Sequence, residues 1–269
     1  MRMSYQTPHL SPTFWPFWTC QADPRFSYSV YVPRGEHKGP RPLMVMVHGS
    51  GRVAETYRNL LAETAEELGA VLLCPLFPCG AAEPGDTESY KFVYWPGLRY
   101  DLVLLSMIDE VAQKVYIDTE RFFLAGYSGG GQFAHRFFYG HPQRLCGVSI
   151  GAPGVVTLPD LEKPWWTGIG GLEEILGFRP DIDAMRRVPV QMVIGGADDE
   201  DMTTQPTSPH FMPGINDVGT DRLQRIAALQ AAFEANGIAS DLIHVPGIAH
   251  DGYALLDPVR AFAKTCLQG

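Results

Sequence analysis

No stretch of about 18 apolar residues occurs in the chain, so no segment reads as a membrane-spanning helix. Basic clusters are missing too. The 21 Lys and Arg are outnumbered by 30 Asp and Glu, giving a net charge of −9. An acidic surface repels phosphate backbones, which argues against nucleic acid as a partner. Cysteine is scarce and scattered: Cys20, Cys74, Cys79, Cys146 and Cys266 make an odd set. Cys74 and Cys79 are near enough in sequence to bridge a loop, but the set reads as buried or free thiols. The start, "MRMSYQTPHLSPTFWPFWTC", holds three prolines and no long apolar core, so it does not read as a signal peptide. The expected location is cytoplasmic. Repeats, low-complexity tracts and linkers are absent as well, and a 45% hydrophobic composition suffices for a sizeable core. The expectation is one domain over residues 1–269 with an aromatic, proline-rich leader at 1–25.

What is present is an alternation of strand and helix patterns. "FSYSVYVP" (26–33) alternates like a half-exposed strand, and "LMVMVHG" (43–49) is a continuous apolar run that suggests a strand buried on both faces. A helix is expected over 54–69, ending at Gly69, then a buried strand at 70–75. A Gly/Pro/aromatic loop (76–98) precedes a helix at 100–115. Further strands are expected at 122–125, 145–153, 188–196 and 240–247, with helices from 132, over 220–237 and over about 252–266. Residues 154–187 break the rhythm with three prolines, paired tryptophans and a glycine cluster, and read as a lid or loop excursion. Such alternation implies a mostly parallel sheet with helices on both faces.

One stretch carries chemistry. In "FFLAGYSGGGQFAHRFF" (122–138) a strand turns into a helix with Ser128 at the apex, flanked by Gly126 and Gly130 in a G-x-S-x-G pattern. A serine alcohol needs a base and oxyanion donors to act as a nucleophile, and strand ends are where an open α/β sheet presents them. "MVHGSGR" (46–52) offers the N–H of Ser50, with Gly51 as the alternative, and Gly129 follows the nucleophile. "VIGGADDED" (193–201) offers Asp198 to orient an imidazole, with Asp199 in reserve. The same acids could form a solvated turn or a cation site, but partner ligands are lacking nearby, so no metal or cofactor is expected. "VPGIAHDGYALL" (245–256) offers His250 as base; His244 competes but sits inside a strand pattern. The order serine, acid, histidine is the one that α/β-type serine hydrolases use.

"HGSGR", "AGYSGGG", "GGAD" and "PGIAHDGY" together resemble the α/β-hydrolase superfamily, from about residue 26 onward. Within it they are similar to the polyhydroxyalkanoate depolymerase, feruloyl esterase and related small carboxylesterase group. The resemblance implies the α/β-hydrolase fold and a carboxylesterase-like serine hydrolase. Ser128 would be nucleophile, His250 base, Asp198 its orienter, and Ser50 and Gly129 the oxyanion donors. The leader and the 154–187 excursion depart from the family pattern.

Candidate substrate contacts are Gly51, Arg52, Tyr127, Trp95, Trp165 and Trp166. All five tryptophans fall outside the expected strands and helices, which suggests an apolar or aromatic acyl or alcohol group. They could instead cover core edges or an oligomer interface, so a homo-oligomer stays open. Arg52 would pair with a substrate carboxylate, or else with a surface acid. The expected activity is ester hydrolysis of a small ester or polyester oligomer. Alternatives are an amidase or peptidase, a carbon–carbon bond hydrolase, and a ligand receptor that has kept the fold.

Overall fold

In the computed structural model, residues 13–268 are described. Ten strands and eight α-helices follow in the order β1 (Phe14–Thr19), β2 (Ser27–Tyr31), β3 (Leu43–Val47), α1 (Ala54–Leu68), β4 (Val71–Leu76), α2 (Ser89–Phe92), β5 (Tyr94–Trp95), β6 (Leu98–Arg99) and α3 (Tyr100–Ala112). Then come β7 (Phe122–Tyr127), α4 (Gly129–Gly140), β8 (Leu145–Gly151), α5 (Leu172–Leu176), α6 (Ile182–Met185), β9 (Val190–Gly195), α7 (Arg222–Ala235), β10 (Ser240–Val245) and α8 (Leu256–Gln268).

Eight strands form one sheet in the order β1-β2-β4-β3-β7-β8-β9-β10. The first two pairings, β1 with β2 and β2 with β4, are antiparallel; the rest are parallel. Leu43 to Val47 are all buried, as a strand covered on both faces requires. α1 and α8 pack on one face, while α4 and α7 pack together on the other through Phe138 and Phe233. Nearly all of the buried apolar side chains among the described residues join one core; Phe92, Ala184 and Ile215 lie outside it. From β3 the chain runs to β4 on one side, then crosses back to β7 on the other. This reversal opens a crevice at the carboxyl ends of β3 and β7, the place where open α/β sheets bind ligands.

Several expectations need correction. The leader is not without structure: Phe14–Thr19 is an edge strand, so Trp15 and Trp18 lie in a strand, and Trp95 lies in β5. Pro16 and the run of aromatics hid the alternation, and an edge strand tolerates proline. Its pairing buries β2, which was expected to be half-exposed. The rest of the leader, residues 1–12, lies outside the described residues. Loop 76–98 holds α2 and the β5–β6 hairpin. The last helix begins at Leu256, four residues after its expected start at 252. The 154–187 excursion carries only α5 and α6, and its root is tied to α4 through Thr157. That residue accepts from Arg136 Nε and Tyr139 Oη and donates its N–H to His135 Nε2.

Candidate active site

Ser128 caps α4 with φ 55 and ψ −112, a left-handed conformation that β-carbon-bearing residues rarely hold. Close packing enforces it. A Cβ at Gly126 would fall on the Gly130 carbonyl, and one at Gly130 on the Val47 carbonyl of β3. The strand, the turn and the helix therefore meet backbone to backbone. Gly129 is the first residue of α4, so its N–H belongs to the group that finds no partner within the helix.

The serine lies at one end of a hydrogen-bond chain. His250 Nε2 is 3.0 Å from Ser128 Oγ, and His250 Nδ1 is 2.7 Å from Asp198 Oδ2. A carboxylate only accepts, so Nδ1–H donates to Asp198 and the Nε2 lone pair faces the serine hydroxyl. His244 stays in β10, exposed, on the edge strand. Asp198 is buried and its other oxygen, Oδ1, accepts from Arg222 Nη1 at 2.7 Å. Asp199 and Glu200 are exposed, and Asp201 accepts from Thr203. Among the described residues no group of three or more His, Cys, Asp or Glu could hold a metal.

Burial pushes the His250 imidazole below its usual range, with the Arg222 charge acting in the same direction. The Asp198 hydrogen bond and the charges of Asp198 and Glu200 act the other way, and burial wins. The ring is thus held in the neutral form that can accept a proton. His48, directly after β3, is neutral for a similar reason. It is fully buried, its Nδ1–H donates to Gly49 O, and its Nε2 accepts from Phe77 N–H at 3.0 Å. Burial pushes its pKa down to about 4. Its role is to brace the turn that carries Ser50, which Arg52 N–H closes on Gly49 O.

A cleft of about 500 Å³ opens beside Ser128, lined by the 49–51 turn, Val53, Tyr57, Tyr127 and residues 250–253. Gly51 and Tyr127 from the expected substrate contacts are in this lining. Arg52, Trp95, Trp165 and Trp166 are not. Arg52 is a staple: its guanidinium donates to the carbonyls of Ser50, Phe77 and Thr87 and lies over the Tyr90 ring. The tryptophans sit in an aromatic cluster. Trp95 and Trp166 surround Phe92 and His210, and Trp165 packs on Tyr94. Tyr57, Tyr253 and Arg222 had not been singled out. Tyr253 stands three residues after His250, in a segment already marked by the histidine. Tyr57 shows only a helical core pattern, and a lone arginine opening a helix carries no signal of its own.

At the level of sequence, no family model and no curated protein matches the chain. Solved structures do. Poly(aspartic acid) hydrolase-1 from Sphingomonas sp. KT-1 superposes with a TM-score of 0.75 at 22% identity, over 94% of this chain and 99% of that one. A poly(3-hydroxybutyrate) depolymerase from Bordetella parapertussis gives 0.67 at 25% identity, over 88% and 83%. An S-formylglutathione hydrolase from Agrobacterium tumefaciens gives 0.60 at 20% identity, over 90% and 89%. The chain has the α/β-hydrolase fold. In that fold the elbow, the acid loop after β9 and the histidine loop after β10 all lie at the carboxyl edge of one sheet. No helix among the described residues is long and apolar enough to cross a membrane.

Proposed function

We propose that this α/β-hydrolase cleaves carboxylic esters through an acyl-enzyme, working as a single domain. The observation that carries the reading is the continuous chain Ser128–His250–Asp198 at a strained strand–helix apex. His250 takes the serine proton as Oγ attacks the ester carbonyl, then gives it to the departing alcohol. Asp198 holds the imidazole in the required tautomer and balances its transient charge. The N–H groups of Gly129 and Ser50 hold the oxyanion, the first aided by the α4 N-terminus. A water activated by His250 then releases the acid.

The substrate is an uncharged ester with an apolar or aromatic group, either small or the end of a polyester oligomer. Val53, Tyr57, Tyr127 and Tyr253 supply apolar surface, and among the described residues no Lys or Arg lines the cleft to receive a carboxylate. The depolymerase name among the similar structures supports this reading. Amide hydrolysis is the second reading, since the same three side chains serve it and one similar structure is named a poly(aspartic acid) hydrolase.

The test is a burst of nitrophenol from a short-chain nitrophenyl ester, with covalent labelling by a serine-directed phosphonate. Ser128→Ala should lose both and fall at least about 10³-fold in kcat while its thermal transition stays in place. A parent enzyme with neither burst nor label would end the proposal. A panel of aryl esters, polyester oligomers, lactones and anilides then separates ester from amide chemistry.

A further inference from the structure

Asp198 has two oxygens and two partners. Oδ2 serves His250, and Oδ1 serves the first residue of α7, Arg222, which is 6% exposed. The same Arg222 Nη1 reaches Glu200 Oε2 at 3.2 Å, and Nη2 donates to Met202 Sδ. Arg222 Nε is buried with no hydrogen-bond partner among the described residues. The guanidinium is thus positioned by the two carboxylates at some cost to its own hydrogen bonding. Its placement follows from the helix start: Asp221 caps α7 by accepting from Gln224 N–H at 2.7 Å, which directs Arg222 back under the acid loop. Arg225, one turn on, holds the same loop through the carbonyls of Met202 and Gly219 and anchors it to that of Gly154, just after β8.

We propose that Arg222 is a positioning residue of the catalytic triad, which holds Asp198 for His250 and, balanced by Glu200, keeps the imidazole free to act as base in mildly acidic solution. The inference rests on the triad reading above.

The physical grounds are these. A buried carboxylate with one free oxygen can rotate about its Cβ–Cγ bond; the Nη1 contact to Oδ1 removes that freedom. The guanidinium is a fixed positive charge in a poorly solvated place, so it opposes a second positive charge on the ring beyond Asp198. That keeps Nε2 unprotonated as the solution becomes acidic, and makes the transient imidazolium less comfortable during acyl transfer. Glu200, exposed and sharing Nη1, offsets part of this effect. The other groups around His250 are Tyr127 at the end of β7, Tyr57 on α1, and Asp251 and Tyr253 on its own loop. Tyr127 packs against the ring in a tilted arrangement with centroids 4.9 Å apart, and burial pushes its phenol pKa up, so it adds no charge. Asp251 accepts the N–H of Tyr253 and lies on the solvent side of the cleft.

The test follows the His250 ring signal by NMR across pH in the Ser128→Ala protein, with assignment by its loss in His250→Ala. This readout does not require catalysis. Arg222→Gln should raise the midpoint, Glu200→Gln should lower it, and Arg222→Lys should return it toward the parent. In the active enzyme the acidic limb of kcat/KM should move in the same directions. Arg222→Gln should lose about threefold or more on that limb beyond its loss on the plateau. Midpoints and limbs that stay at the parent position in both charge-removing variants overturn the inference. If Arg222→Gln does not fold, Glu200→Gln decides, and an unmoved midpoint overturns it. Midpoints that move in a protein lacking any hydrolysis would leave the positioning intact and remove the enzymatic reading.

Discussion

The two ends of the Ser128–His250–Asp198 chain are built from different materials. At the serine end, backbone lies against backbone: Gly126, Gly130 and Val47 leave no room for a single added carbon. At the acid end a long irregular loop, residues 196–221, runs between β9 and α7 and is pinned by the side chains of Arg222 and Arg225. The first construction fixes position by excluded volume and tolerates nothing. The second fixes it by charge and hydrogen bonds, and can be tuned without disturbing the sheet. A serine in the proposed role of nucleophile needs one unusual conformation, whereas an orienting acid needs an electrostatic environment, and each end supplies what its proposed role needs.

The largest expected effect comes from breaking the acid end at its center. Asp198→Asn should lower kcat by about 10³- to 10⁴-fold, because an amide favours the wrong imidazole tautomer and cannot balance its charge. Asp199→Asn, on the exposed neighbour, should stay within about twofold. The assay is ester turnover at the plateau pH, with thermal unfolding as control. The reverse ranking would move the orienting acid by one residue.

This contrast also explains what could be read in the sequence. The elbow is a local requirement: glycines two before and two after Ser128, between an apolar run and a helical one, are visible in a few residues. The strand ends that carry Asp198 and His250 follow from the same alternation of patterns. The pins are not local. Arg222 lies 24 residues from Asp198, and only the return of α7 beneath the acid loop brings them together. Arg52 stands beside the 49–51 turn in sequence, yet its guanidinium is taken up by three carbonyls. Trp95 and Trp166 looked like pocket walls because they crowd loops at strand ends. Their rings instead pack on Phe92 and His210, a choice made by contacts more than 60 residues apart in the chain. β1 was hidden because Pro16 and adjacent aromatics blur a period of two.

The serine end can be broken sterically. Gly130→Ala should destabilise the fold by about 3 kcal/mol or more, since the new Cβ meets the Val47 carbonyl and not a side chain that can turn aside. Gly51→Ala is the control from the same region: nothing lies within 4 Å of its would-be Cβ, and stability should change by no more than about 0.5 kcal/mol. Denaturant unfolding of both variants measures the difference. If both were tolerated equally, the backbone contact at the elbow would not be the constraint described.

The smallest effect concerns how the two ends respond to acid. His48 braces the serine end as a neutral, fully buried ring, with a folded-state pKa of about 4 against an ordinary value of 6.5. The unfolded chain therefore binds the proton first as the pH falls. Stability contributed by the neutral ring is complete above about 6.5 and declines as pH drops toward the folded value. Linkage puts the loss from this one group at about 2 kcal/mol by pH 5. His135, buried and pushed in the same direction, adds to it. Unfolding free energy measured from pH 7 to pH 5 should fall accordingly, and His48→Asn, though less stable at pH 7, should show a shallower decline. A decline as steep as the parent's would mean that His48 is not the group taking up the proton. The acid end should respond less, because His250 is only partly buried and its proton can be shared with Asp198. The serine end is thus the more brittle one in acid, for the same reason that it is the more brittle one toward an added methyl group.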